Sequence, residues 1–229
     1  MWNKILIKKE WMEQRYNILS MFVTLLILWG LMLFIPKLTR ESGGSLEMIL
    51  EGKNLVYWMM LFLVAEFGVI LGVWQLGTEK AQRTLSYLMT RPVTRKEILS
   101  AKILIGLGST LGFYLIVRLL TPYEVVVYTD PQSFINLPLD MVYQLGIIIL
   151  SYSMAALVTS QVSHALGAHF TAQVLFLGLI NVWGILYDRW DIHRYTFPLT
   201  WAWSIAVIVL VLVLGGILVQ LFVKQDANR

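Results

Sequence analysis

Two charged residues, Glu66 and Arg118, stand within apolar runs instead of flanking them. An ionised side chain near the middle of a bilayer costs about 2.5–3.5 kcal/mol on insertion scales, so each is a functional candidate by default. They read as translocation-path candidates that line or gate a passage. Arg118 is the obvious partner for Glu66 by charge, although the depths the sequence gives them do not match well enough for a salt bridge. The other reading has Arg118 snorkelling outward and Glu66 protonated or hydrogen-bonded inside a bundle. A second concentration of chemistry is the stretch Thr78–Lys102, TEKAQRTLSYLMTRPVTRKEILSAK. It holds Lys80, Arg83, Arg91, Arg95, Lys96 and Lys102, six of the chain's 18 Lys and Arg, against only Glu79 and Glu97. Gln161, His164, His169 and Gln173 could suggest a polar track or a metal site. Two histidines five apart with no acidic neighbours read as ordinary polar residues at a span junction, so no metal site is expected. No Ser–His–Asp set, no H-E-x-x-H and no paired carboxylates fall in the apolar runs, and no G-x-x-x-x-G-K-[ST] loop occurs anywhere. Hydrolytic catalysis and nucleotide binding of the P-loop kind are therefore not expected of this chain. With no cysteine, disulfides, thiol catalysis and thiolate metal sites are excluded.

The elements that must position these residues follow from composition. The chain has 229 residues, 58% hydrophobic and only 14% charged, with mean hydropathy +0.69. A soluble domain carries about 25% charged residues, so lipid is the main solvent here. Runs of roughly 20 apolar residues are long enough to span a bilayer. They predict an all-α integral membrane protein, a single membrane domain over residues 1–229 with six transmembrane helices. The spans fall at about 17–36, 55–77, 103–121, 141–161, 166–187 and 201–223. Residues 1–16 put Trp2, Ile5, Leu6, Met12 and Tyr16 on one face and Lys4, Lys8 and Arg15 roughly opposite, although Lys9 and Glu13 intrude. This reads as an N-terminal interfacial helix. Its apolar continuation is too long, and lacks the small-residue site, for a cleavable signal. Asp140 is placed to cap the fourth span.

Within the basic stretch, Ala81, Leu85, Leu88 and Met89 share one helical stripe, with Glu79, Lys80, Arg83, Ser86 and Thr90 on the other side. Pro92 disfavours helix at Arg91. Thr94, three residues before Glu97, then forms a capping box ahead of Ile98 and Leu99. The stretch predicts a short amphipathic helix, a proline break and a newly capped helix entering the membrane.

Charge sets the orientation. With the N-terminus inside, Lys4, Lys8, Lys9, Arg15, the six of the basic stretch, Lys224 and Arg229 lie on the inner side, against Lys37, Arg40, Lys53, Arg189 and Arg194 outside. The positive-inside rule predicts a multi-pass protein of the cell membrane with both termini and the basic stretch in the cytoplasm. Net charge +4 is accounted for by this bias, so no nucleic-acid partner is expected. Gly68-x-x-x-Gly72 and Gly108-x-x-x-Gly112 permit close helix approach, either within one bundle or at a dimer seam.

The basic stretch resembles the motif that ABC-2 type transporter permeases carry between their second and third membrane helices. The matching residues are Glu79, Thr84-Leu85, Leu88, Pro92-Val93-Thr94-Arg95, Glu97-Ile98-Leu99 and Lys102; Arg83 departs from the small residue often found before the Thr. The resemblance implies a membrane-spanning subunit that pairs with a second permease chain, identical or related, and with separate nucleotide-binding ATPase subunits that hold ATP and Mg. No cofactor is implied for this chain itself. It further implies a cytoplasmic coupling helix that docks on the ATPase, with Glu79, Arg83, Thr84, Leu85, Leu88, Pro92, Arg95 and Glu97 as ATPase-coupling residues. The expected function is export, without covalent chemistry, of an amphipathic drug, antimicrobial peptide or lipid-like compound. The rival expectation is a non-transporting assembly or sensory subunit whose basic loop binds a cytoplasmic partner or anionic lipid.

Overall fold

A computed structural model describes residues 4–82, 94–121, 125, 133–162 and 164–189, with 205–206, 209–210, 212–217 and 220 of the last segment. Five long helices account for nearly all of it: α1 (Lys4–Glu41), α2 (Leu46–Gln82), α3 (Arg95–Leu120), α4 (Ser133–Gln161) and α5 (Ala165–Arg189). No strand occurs among the described residues. That is the expected outcome for a chain in lipid, where a helix satisfies every backbone N–H and C=O within its own segment. Among the described residues, four helices are long and apolar enough to cross a membrane: α1, Leu46–Gly77 of α2, Lys96–Leu120 of α3 and Gln144–Gln161 of α4. α5 is apolar over Leu166–Gly178. Of the expected sixth span, the described residues are helical.

The helices overrun the spans that the apolar runs predict. α1 passes without interruption from Lys4 through the expected interfacial segment, and on through Pro36 to Glu41. The interfacial helix is therefore not a separate element. Nothing between residues 4 and 29 breaks a helix, and a proline is tolerated in a membrane-embedded helix. α2 likewise continues past Gly77 to Gln82, carrying the first residues of the basic stretch as its own last turn and a half. One glycine costs about 1 kcal/mol in a helix interior, too little to stop a helix packed along most of its length. α4 begins at Ser133, so Asp140 lies in its interior and does not cap it.

The turns are set by local chemistry. After α1, Gly43 N–H donates to Arg40 O at 3.1 Å and Gly44 N–H to Thr39 O at 2.8 Å, with Gly43 at φ 75°. This is a Schellman ending, which needs the left-handed backbone that glycine adopts without penalty. Ser45 then caps α2 by accepting from Met48 N–H at 3.3 Å. α4 ends at Gln161 and α5 begins at Ala165.

α2 is the centre of the bundle and touches each of the other four helices. Two thirds (67%) of its most apolar window is buried, against 17% for α1. Its Tyr57, Met60, Val64, Phe67 and Leu71 form the core with Met32 of α1, Tyr114 of α3, Ile148 of α4 and Phe176 of α5. Phe67 meets Phe113 edge to face at 5.3 Å between centroids. Gly68 and Gly72 let α4 approach α2. A Cβ at Gly72 would stand 2.7 Å from Tyr152 O and 2.9 Å from Ala155 Cβ. A Cβ at Gly108 or Gly112 would meet nothing within 4 Å among the described residues, so that pair makes no close approach to another described helix.

Candidate functional site

Polar side chains gather at three levels along the bundle. The first lies at the end where α1 begins, α2 finishes and α3 starts. Lys102, fully buried on α3, donates through Nζ to Glu10 Oε1 of α1 at 3.0 Å and to Gln75 O of α2 at 2.6 Å. Tyr152 of α4 donates its hydroxyl to Gln75 Oε1 at 2.8 Å and lies 3.3 Å from Lys102 O. Lys9 adds a longer ion pair to Glu10 at 3.7 Å. Four helices are thus joined by one buried network. Gly106, one turn on from Lys102, makes room for it, because a Cβ there would run into Gln75 Oε1 and the Tyr152 ring. Removing either charge from such a pair strands the other in a low-dielectric interior, which is strongly destabilising.

This network sits directly against the basic stretch. Gln75 precedes the last turn of α2, and Lys102 follows the capped start of α3. The capping box itself is formed: Thr94 Oγ1 accepts from Glu97 N–H at 3.3 Å, and Thr94 N–H donates to Glu97 Oε2 at 2.9 Å. The backbones of Glu79 and Arg95 are helical. Arg83, Thr84, Leu85, Leu88 and Pro92 lie outside the described residues, as do the side chains of Glu79 and Arg95, and with them the predicted coupling helix.

At mid-bundle Glu66 of α2 accepts from Gln173 Nε2 of α5 at 2.7 Å. Its other oxygen has no hydrogen-bond partner among the described residues, and neither does His169 Nδ1. His169 lies one turn from Gln173 and within electrostatic reach of Glu66. At the far end, Arg118 of α3 donates to Tyr57 Oη at 2.6 Å. Tyr57 and Tyr114 both donate to Gln144 Oε1 of α4, at 3.2 and 3.3 Å. Glu66 and Arg118 are therefore separate: each is held by neutral partners at its own level, and they form no ion pair. A glutamine and a tyrosine supply the compensation that the sequence led one to seek from opposite charges.

Sequence reasoning singled out Glu66, Arg118, Thr94, Glu97 and Lys102, but missed Glu10, Gln75 and Tyr152. A signal for Glu10 exists in hindsight. Glu10 and Gln14 are four apart, so they share a helical face, and both are buried.

These features define a multi-pass helical membrane protein in which, among the described residues, the buried polar groups tie helices together. The sequence model of the ABC-2 family transporter protein matches residues 6–179, well over half of the chain. The chain belongs to the ABC-2 transporter family and is a transport membrane subunit. Comparison with curated proteins and with solved structures found no match.

Proposed function

We propose that this chain is the permease of an ATP-driven exporter, working with a second permease chain and with separate ATPase subunits that bind ATP and Mg. The observation that carries the reading is the buried Glu10–Lys102–Gln75–Tyr152 network beside the family motif. Force applied between Gln82 and Thr94 enters the bundle through the end of α2 and the start of α3. Because the network ties those two ends to α1 and α4, the four helices tilt together when the stretch is displaced. A hinge of loosely packed apolar side chains would absorb the same displacement locally.

In this mechanism Glu79, Arg83, Thr84, Leu85, Leu88, Pro92, Arg95 and Glu97 form the surface that receives the ATPase, on the cytoplasmic side that the charge bias favours. The passage runs along α2 and α5, where Glu66, Gln173 and His169 supply a small polar site in an apolar wall; Arg118 gates its far end through Tyr57. Such a wall suits an amphipathic drug, an antimicrobial peptide or a lipid-like compound. Substitution of Glu79 or Arg95 by alanine is expected to uncouple ATP hydrolysis from transport in the reconstituted complex while leaving membrane insertion intact. Normal coupling in both variants would remove the basic stretch from the mechanism. Co-purification of a single non-ATPase partner in its place would favour an assembly or sensory subunit.

A further inference from the structure

α1 and α3 run side by side in parallel. They are tied at one end by Glu10–Lys102 and at the other by Trp29 Nε1, which donates to Leu120 O at 3.1 Å. Between the two ties, the small residues Ser109 and Gly112 leave open space beside α1. The result is an outward-facing groove of about 660 Å³, walled by Trp11, Arg15 and Phe22 of α1 and Gly112, Phe113 and Ile116 of α3. We infer that this groove is a binding site for one phospholipid with an anionic headgroup.

Three observations select that occupant. Arg15 stands at the mouth, exposed, and has no carboxylate partner among the described residues. It donates to the Tyr16 hydroxyl at 3.0 Å and lies 4.7 Å over the Tyr16 ring, which holds the guanidinium beside the groove while leaving further donors free for an anion. Trp11 and Tyr16 are both well exposed, and such aromatic rings belong at headgroup level. A smaller groove of about 330 Å³ shares Trp11 and adds Lys4 and Lys8, so further positive charge lies along the same line. Below Arg15 the walls are apolar apart from the Tyr16 and Ser109 hydroxyls. Trp11 to Phe22 covers about 16 Å at 1.5 Å per residue, the depth of one leaflet of a roughly 30 Å hydrocarbon core. A helix from a second copy would run the full length of the bundle, whereas this groove ends at Phe22 and Ile116, short of the Trp29 tie.

The site is independent of the transport reading and is tested without ATP. The full chain is reconstituted in vesicles containing photoactivatable phosphatidylglycerol or photoactivatable phosphatidylcholine, and the labelled peptides are mapped. Phosphatidylglycerol should label residues 11–22 and 109–116 at least fivefold over phosphatidylcholine. Arg15→Gln should cut that labelling about fivefold, in line with the pull of one basic residue on an anionic surface. Gly112→Leu should cut it further by filling the groove, while Arg40→Gln leaves it unchanged. A Cβ at Gly112 meets nothing, so an unchanged melting temperature separates filling from misfolding; should that variant misfold, Arg15→Gln decides alone. Equal labelling by the two lipids overturns the proposal. So does a crosslink from position 112 to a second copy or to residues 201–223, which would assign the groove to protein.

Discussion

Lys102→Met tests the buried network most sharply. The Lys102 side chain is 1% exposed and that of Glu10 3%, so neither charge can turn to water. Methionine keeps the length of the lysine stem and deletes the ammonium. Glu10 then loses its 3.0 Å ammonium partner, and Gln75 O loses its 2.6 Å donor. Removing one member of a buried ion pair costs about 3–5 kcal/mol, which at about 1.4 kcal/mol per decade is at least a hundredfold in the folded ratio. Glu10→Gln alone should cost a similar amount, because it strands the lysine. The double variant removes both charges, so it should recover most of the loss. The assay is thermal unfolding of the purified chain in detergent, followed by tryptophan fluorescence, for wild type, both singles and the double. Strict additivity of the two singles, or a Lys102→Met midpoint equal to wild type, would refute the claim that these residues form one energetic unit.

Two further substitutions bear on the same region. Gly106→Ala should lower stability and weaken coupling together, since the added methyl displaces Gln75 Oε1 and the Tyr152 ring; unfolding and ATP-driven transport measured side by side check this. Gly72→Ala should cost about 1–3 kcal/mol by overpacking against α4 backbone, whereas Gly108→Ala should be neutral or stabilising because space is open and alanine favours helix. Equal effects at positions 72 and 108 in a denaturation series would contradict the helix packing described above.

The sequence was legible where local chemistry decides. Thr94 and Glu97 are three residues apart, and reciprocal hydrogen bonds at that spacing need no tertiary context, so the capping box was readable in advance. The same holds for the helical character of the apolar runs, four of which are long and apolar enough to cross a membrane among the described residues. Helix ends were less readable, because hydropathy marks where lipid begins and not where backbone hydrogen bonding stops. For that reason α1 and α2 run on past Pro36 and Gly77. Partnerships were the least legible. Glu10 and Lys102 are 92 residues apart, and only the register of α1 against α3 brings them together. Arg118 looked like the natural partner of Glu66 by charge alone, but they sit at different levels of the bundle, where Tyr57 and Gln173 satisfy them instead.

In the proposed mechanism a soluble motor drives this bundle through the basic stretch between α2 and α3. Site-specific photocrosslinking from positions 83 and 87, performed in native membranes and read by mass spectrometry, addresses it most directly. The account predicts a crosslinked soluble chain bearing a phosphate-binding P-loop, with yield that changes when ATP is added. Labelling of those positions only by reagents confined to the external face would contradict it.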